Sequence, residues 1–180
     1  MTYKTQGIII KKRDLSEADR LLTIYTKDFG KILVKGRAIK KSQAKLKGHL
    51  ELFMYSDLII AEGRSMDVVI GAEEIDGFPI IHYHLPSLAG AYCLSEIVDR
   101  LIAGPEYDQN IWQLILSAFQ VSDCRGQNID LVLKRFSIRL LDFLGYGDFG
   151  QQDPFEFIYS QLGSEIYSLD FLRNVNCLVK

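Results

Sequence analysis

The feature that most restricts how this chain can fold is a change of apolar period close to Pro79. Before it, apolar residues alternate with polar ones and β-branched residues are frequent, the pattern of half-buried strands. After it, apolar residues return every three or four positions, the pattern of amphipathic helices. A chain with that break is α+β, with strands first and helices second. The spacing predicts strands over about 4–13, 20–26, 31–37, 51–62 and 66–75. In the second, Leu22, Ile24 and Thr26 point one way and Leu21, Thr23 and Tyr25 the other. Asp28-Phe29-Gly30 and Glu62-Gly63-Arg64-Ser65 read as turns, with Gly30 free to take positive φ. Five short antiparallel strands, with an extra segment between the third and fourth, fit a small Greek-key barrel of the OB type, and pattern alone leaves an SH3-like barrel open. IIHYHLPS reads as an extended connector. Helices are expected over 86–102, 109–121 and 128–144, with one more near 165–172. The expected domains are therefore a barrel over 1–80 and an all-α region over 81–180, with no internal repeat.

The formal net charge of −2 conceals a division: residues 1–50 carry 13 Lys and Arg against 4 acidic residues, and residues 51–180 carry 8 against 19. Within 31–47 lie Lys31, Lys35, Arg37, Lys40, Lys41, Lys45 and Lys47 and no acid. Strand alternation puts Lys31, Lys35 and Arg37 on one side, the side where OB barrels bind single strands. Cations spread along a strand and its connector suit a phosphate backbone better than a single anion. Bases need aromatic platforms, and Tyr25, Phe29 and Tyr3 are placed to supply them; the alternative is that Tyr25 and Phe29 cap the barrel core.

Little speaks for catalysis. His82 and His84 have a spacing that could hold a metal, with a third ligand from Glu73, Glu74, Asp76 or His49, or they are an exposed linker pair. Glu73-Glu74-Ile75-Asp76 is a carboxylate cluster or the solvated end of a strand. No phosphate-binding glycine loop, nucleophile elbow or zinc-protease motif occurs. No catalytic residue, cofactor or metal is expected. Cys93, Cys124 and Cys177 are too scattered for a disulfide framework or a zinc site, and Cys93 reads as buried filler. Without an apolar run of about 18 residues, no spanning helix is expected, and a cytosolic location follows from the N-terminal pattern. On the third helix, Arg135 and Arg139 stand four apart beside Leu131, Phe136 and Leu140. They either solvate the back of a core helix or receive an acidic, apolar peptide tail.

Several stretches together resemble the RecO family of bacterial recombination mediators. In the barrel these are Glu17-Ala18-Asp19-Arg20-Leu21, Thr23-Ile24-Tyr25-Thr26, Gly30-Lys31 and Lys35-Gly36-Arg37 with Ser42. In the helical part they are Tyr92-Cys93-Leu94-Ser95-Glu96 with Asp99-Arg100-Leu101, Pro105-Glu106 with Ile111-Trp112, and Phe136 to Leu141 with Leu144-Gly145-Tyr146. The resemblance runs from about Thr2 to Tyr146. It implies an OB barrel followed by a helical domain, and binding of single- and double-stranded DNA without sequence preference. It further implies strand annealing and, with a RecR partner, loading of the recombinase RecA onto strands coated by single-strand-binding protein, in the nucleoid and without bond chemistry. Arg20, Lys31, Lys35 and Arg37 occupy matched positions, whereas Lys40, Lys41, Lys45 and Lys47 rest on charge alone. The tail of single-strand-binding protein is the partner expected at Arg135 and Arg139. Many relatives carry a four-cysteine zinc module after the Leu-Gly-Tyr segment; residues 147–176 contain no cysteine here, so zinc is not carried over. Leu50-Glu51-Leu52-Phe53 stands where the family tends to have Leu-Gln-Pro-Phe. The acidic second part leaves a second possibility, a protein adaptor with weak nucleic-acid binding that acts through its helices.

Overall fold

The structure, a computed structural model, describes residues 1–37, 48–147 and 152–178. Strands β1 (Thr2–Asp14), β2 (Arg20–Thr26), β3 (Gly30–Gly36), β4 (Tyr55–Ala61) and β5 (Val68–Asp76) come first. Helices α1 (Pro79–Tyr83), α2 (Leu85–Leu101), α3 (Gln109–Ser122), α4 (Ile129–Phe143), α5 (Pro154–Leu162) and α6 (Tyr167–Leu178) follow. The chain is α+β. It forms two compact units, one of Met1–Gly77 with Ala103–Asp108, the other of Phe78–Ile102 with the chain from Gln109 onward. No described helix is long and apolar enough to cross a membrane.

In the first unit the strands close a barrel in the order β1-β2-β3-β5-β4, the OB arrangement. One pairing departs from the antiparallel expectation: β3 and β5 run parallel, through Lys35–Val68 and Gly36–Val69. Closure depends on β1, which pairs with β4 through residues 2–8 and with β2 through residues 7–14. A strand serving two neighbours must bend, and the register shifts between Ile9 and Lys11, where a bulge supplies that bend. Ile9, Leu22, Ile24, Val34, Leu50, Leu58, Ile60 and Val69 fill the interior. Burying each contributes roughly 1.5–3 kcal/mol.

The fourth strand starts at Tyr55 rather than near Glu51. Gly48–Leu50 form a 3-10 turn and Phe53 adopts φ 65°, which breaks the ladder although the apolar alternation continues through it. Gly30 ends the β2–β3 turn at φ +64°, and a Cβ there would lie 2.1 Å from the carbonyl oxygen of Glu106. Residues 103–108 thus lie directly against the hairpin, and only glycine fits.

In the second unit α2 is the central helix, packed by α1, α3, α4 and α6. Ala89-Gly90-Ala91 lets α4 approach closely: a Cβ on Gly90 would meet Ile129 Cγ2 at 2.5 Å. The connector expected to be extended contains a helical turn instead. Pro79 starts α1, the Asp123 carboxylate accepts from the Ile81 N–H at 2.9 Å, and Phe78, buried at φ 45°, stacks on Phe119 with centroids 5.8 Å apart. The tail holds two helices rather than one. Asp153 caps α5 by accepting from the Phe155 N–H at 2.9 Å, Pro154 sets its first turn and Gly163 ends it.

Helix α6 is held by a carboxylate from α2. Glu96 accepts from the Tyr167 N–H at 3.0 Å, the Ser168 N–H at 2.9 Å and the Ser168 hydroxyl at 2.6 Å. Arg100, one turn on, donates to Glu96 at 3.0 Å and to the carbonyls of Ser164 and Glu165. The negative charge therefore sits on the positive end of α6. Burial opposes ionisation of Glu96, but the Ser168 hydroxyl and N–H, the Tyr167 N–H and Arg100 outweigh it and hold the carboxyl below its usual range.

Candidate nucleic-acid interface

The outer faces of β1, β2 and β3 form one surface. Register places Arg13 beside Leu21 and Leu21 beside Lys35, Lys11 beside Thr23 and Thr23 beside Leu33, and Tyr25 beside Lys31. Leu21, Thr23 and Tyr25 alternate with the interior residues Leu22 and Ile24, so these rows face outward. With strands about 4.8 Å apart, the cations on β1 and β3 flank β2 at about 10 Å across the sheet. Leu33, between Lys31 and Lys35, is exposed. The surface is a cationic frame around a small apolar strip.

Lys11 and Arg13 were not singled out by the sequence reading, although the run Lys11-Lys12-Arg13 was a signal for them. Lys12 turns the other way and pairs with Glu51 at the barrel's end. Arg20 lies near Asp14 at 3.3 Å and Glu51 at 4.0 Å, and Lys35 is 2.8 Å from Asp19. Arg20 and Lys35 are thus neutralised locally, by acids whose place beside them only the fold reveals. Arg37 is exposed at the end of the described hairpin. Lys40, Lys41, Lys45 and Lys47 lie outside the described residues.

The aromatic residues divide. Tyr25 is 1% exposed, so its ring belongs to the packed structure and offers no face to a base. Burial and the nearby Asp108 carboxylate push its hydroxyl pKa upward. Strand alternation separates Tyr25 from Leu22 and Ile24, but it does not show the burial of the ring or the nearby Asp108, which comes from far along the chain. Phe29 is 38% exposed at the hairpin tip, its ring meeting Tyr3 edge-on at 4.8 Å. That tip is rigidly held: the Phe29 N–H donates to Thr26 Oγ1 at 3.2 Å, the Lys27 N–H to the Gln6 carbonyl at 2.8 Å and the Thr5 hydroxyl to Asp28 at 2.8 Å. The Tyr3 hydroxyl donates to Asp67 at 2.8 Å, and burial with this contact raises its pKa. Phe29 is therefore a half-exposed ring on a fixed support, next to Lys31.

The remaining candidates are scattered. His82 lies in α1 and His84 ends it, both exposed, and no group of three metal-ligating side chains occurs among the described residues. Glu73 and Glu74 are solvated. Arg135 and Arg139 point outward on α4, where Leu131 and Ile138 are also exposed, while Phe136 and Leu140 face the core. That stripe of two guanidinium groups and two apolar side chains matches an acidic, apolar peptide in chemistry.

A family model described as "Recombination protein O N terminal" matches residues 1–78. The "DNA repair protein RecO" of Roseiflexus sp. (strain RS-1) is 35% identical over 144 residues, 80% of this chain and 50% of that protein. The protein of that name from Dehalococcoides mccartyi strain 195 is 36% identical over 144 residues, 80% of this chain and 56% of that protein. The one from Desulforamulus reducens is 32% identical over 143 residues, 79% and 55% of the two chains. The chain spans about half the length of the curated relatives it matches.

Proposed function

Since the chain belongs to the RecO family, we propose that it acts in DNA repair and recombination as a non-enzymatic mediator. Its barrel binds DNA backbone, promotes annealing of complementary single strands and, together with RecR, helps load RecA onto DNA coated by single-strand-binding protein. The observation that carries this reading is the outer face of β1–β3, where Lys11, Arg13, Lys31 and Lys35 surround an apolar strip beside the anchored ring of Phe29. Cations arranged over a face, with an aromatic edge, suit a single strand whose phosphates and bases run side by side. Arg37 extends the same surface in this reading, Arg20 adds charge on the side of Lys12 and Glu51, and Lys40, Lys41, Lys45 and Lys47 contribute positive charge in the sequence that follows. Annealing of two complementary oligonucleotides tests it. Lys31→Glu/Lys35→Glu should slow annealing at least tenfold, and an unchanged rate would refute it.

A second reading has its own support. Arg20 and Lys35 are paired with Asp14, Glu51 and Asp19, which lowers the charge free to meet phosphate. A protein adaptor with weak DNA binding would then act through α4, with Arg135 and Arg139 receiving the acidic tail of single-strand-binding protein. Titration with a peptide of that tail separates the two: Arg135→Glu/Arg139→Glu should abolish peptide binding and leave oligonucleotide binding intact.

A further inference from the structure

A cavity of about 620 Å³ opens in the helical unit, between α1 and the loop after α3. Its walls are Pro79, Ile80, Tyr83, His84, Arg125 and Gly126. No carboxylate among the described residues lines it, although residues 51–180 carry more than twice as many acidic as basic residues. The carboxylate next to it in sequence, Asp123, is turned onto the Ile81 N–H at 2.9 Å. Arg125 is exposed and makes no ion pair among the described residues. Tyr83 is 91% exposed, the most exposed aromatic ring among the described residues, so its face is open to a stacking partner. His84 lies 3.0 Å from the Ser87 hydroxyl through Nδ1, which fixes the imidazole at the cavity's edge.

A flat exposed ring, a guanidinium with no ion pair among the described residues and an imidazole around a space of ordinary ligand size are the components that hold a nucleotide: a face for the base and donors for the phosphate. We propose that this cavity receives a nucleotide of a single-stranded nucleic acid, the base stacked on Tyr83 and the phosphate on Arg125, with His84 as a further donor. It is a second nucleic-acid contact, separate in sequence from the barrel's, and it stands whether or not the barrel binds.

The test uses the full chain and oligothymidine or oligouridine carrying iodouracil, which cross-links to a stacked aromatic on irradiation. An adduct should map to Tyr83, and Arg125→Glu should reduce it at least fivefold. In anisotropy titrations Tyr83→Ala should weaken oligonucleotide binding about fivefold, in line with one base–aromatic stack. Arg125→Glu should make the salt dependence shallower by about 0.7 in slope, one phosphate's share on a single strand. Both side chains are exposed, so unchanged thermal unfolding of the variants confirms that folding is intact. The DNA and RNA arms identify which strand is preferred. Adducts only on Phe29 or Tyr3, or a Tyr83→Ala/Arg125→Glu variant that binds like the wild type, would overturn the proposal while sparing the barrel reading. A Tyr83 adduct that survives Lys31→Glu/Lys35→Glu, in a variant with no annealing defect, would do the reverse.

Discussion

Replacing Glu96 with Gln should release α6 while the barrel stays folded. The carboxylate accepts four hydrogen bonds: the N–H groups of Tyr167 and Ser168, the Ser168 hydroxyl and the Arg100 guanidinium. Glutamine keeps the shape but turns one of the two acceptors into a donor. One N–H at the start of α6 then faces an N–H, which costs about 1–3 kcal/mol for an unsatisfied group. Loss of the charge at the helix N-terminus adds about 0.3–1 kcal/mol. A total near 2–3 kcal/mol corresponds to about 30-fold or more in a local opening equilibrium. Hydrogen exchange reads this directly, as faster exchange at the amides of residues 171–178 with little change in β1–β5. The pH dependence has a definite sign. The folded pKa of Glu96 lies below the unfolded value near 4.5. Its contribution is therefore complete above that value and is lost as pH falls through the folded pKa. Glu96→Gln should remove that part of the acid sensitivity of α6. Wild-type protection of α6 in the variant, within about threefold at neutral pH, would refute the reasoning.

Three further outcomes follow from the geometry. Gly30→Ala forces a Cβ to 2.1 Å from the Glu106 carbonyl at a positive φ and should destabilise the barrel unit by about 2–4 kcal/mol, read by urea unfolding. Gly90→Ala must displace Ile129 and should cost about 1–3 kcal/mol in the helical unit by the same assay. Cys124 and Cys177 are exposed, whereas burial pushes the Cys93 thiol up to about 12 despite the Ser168 hydroxyl nearby. Iodoacetamide at neutral pH should therefore modify two cysteines and spare Cys93, as peptide mass spectrometry will show.

Local chemistry was readable in the sequence wherever the fold obeys it. The second strand fell at residues 20–26, and Gly30 occupied the turn, because alternation and turn residues act over a few positions. The fourth strand was read four residues too early because Phe53 carries apolar alternation through a left-handed backbone that no local rule marks. The caps of α5 were present in Asp153-Pro154 and Gly163, but a helix of nine residues is too short for an apolar period to stand out. What could not be read were contacts between distant segments. Alternation separated Tyr25 from Leu22 and Ile24, but not its burial, nor the Asp108 charge from far along the chain. Asp19 meets Lys35 only once β2 and β3 pair, and Glu51 meets Arg20 only in the folded barrel. Glu96 and Ser168 are 72 residues apart, and nothing in either segment names the other.

The central claim is that the barrel's outer face binds nucleic-acid backbone. Fluorescence anisotropy of a labelled single-stranded oligonucleotide across a salt series tests it most directly. If about five phosphates are neutralised, log affinity should fall against log salt with a slope near −3.5. In Arg13→Glu/Lys31→Glu/Lys35→Glu the binding should weaken and the slope become shallower by about 2, three contacts' worth. Binding that is weak, insensitive to salt and unchanged in the triple variant would contradict the account.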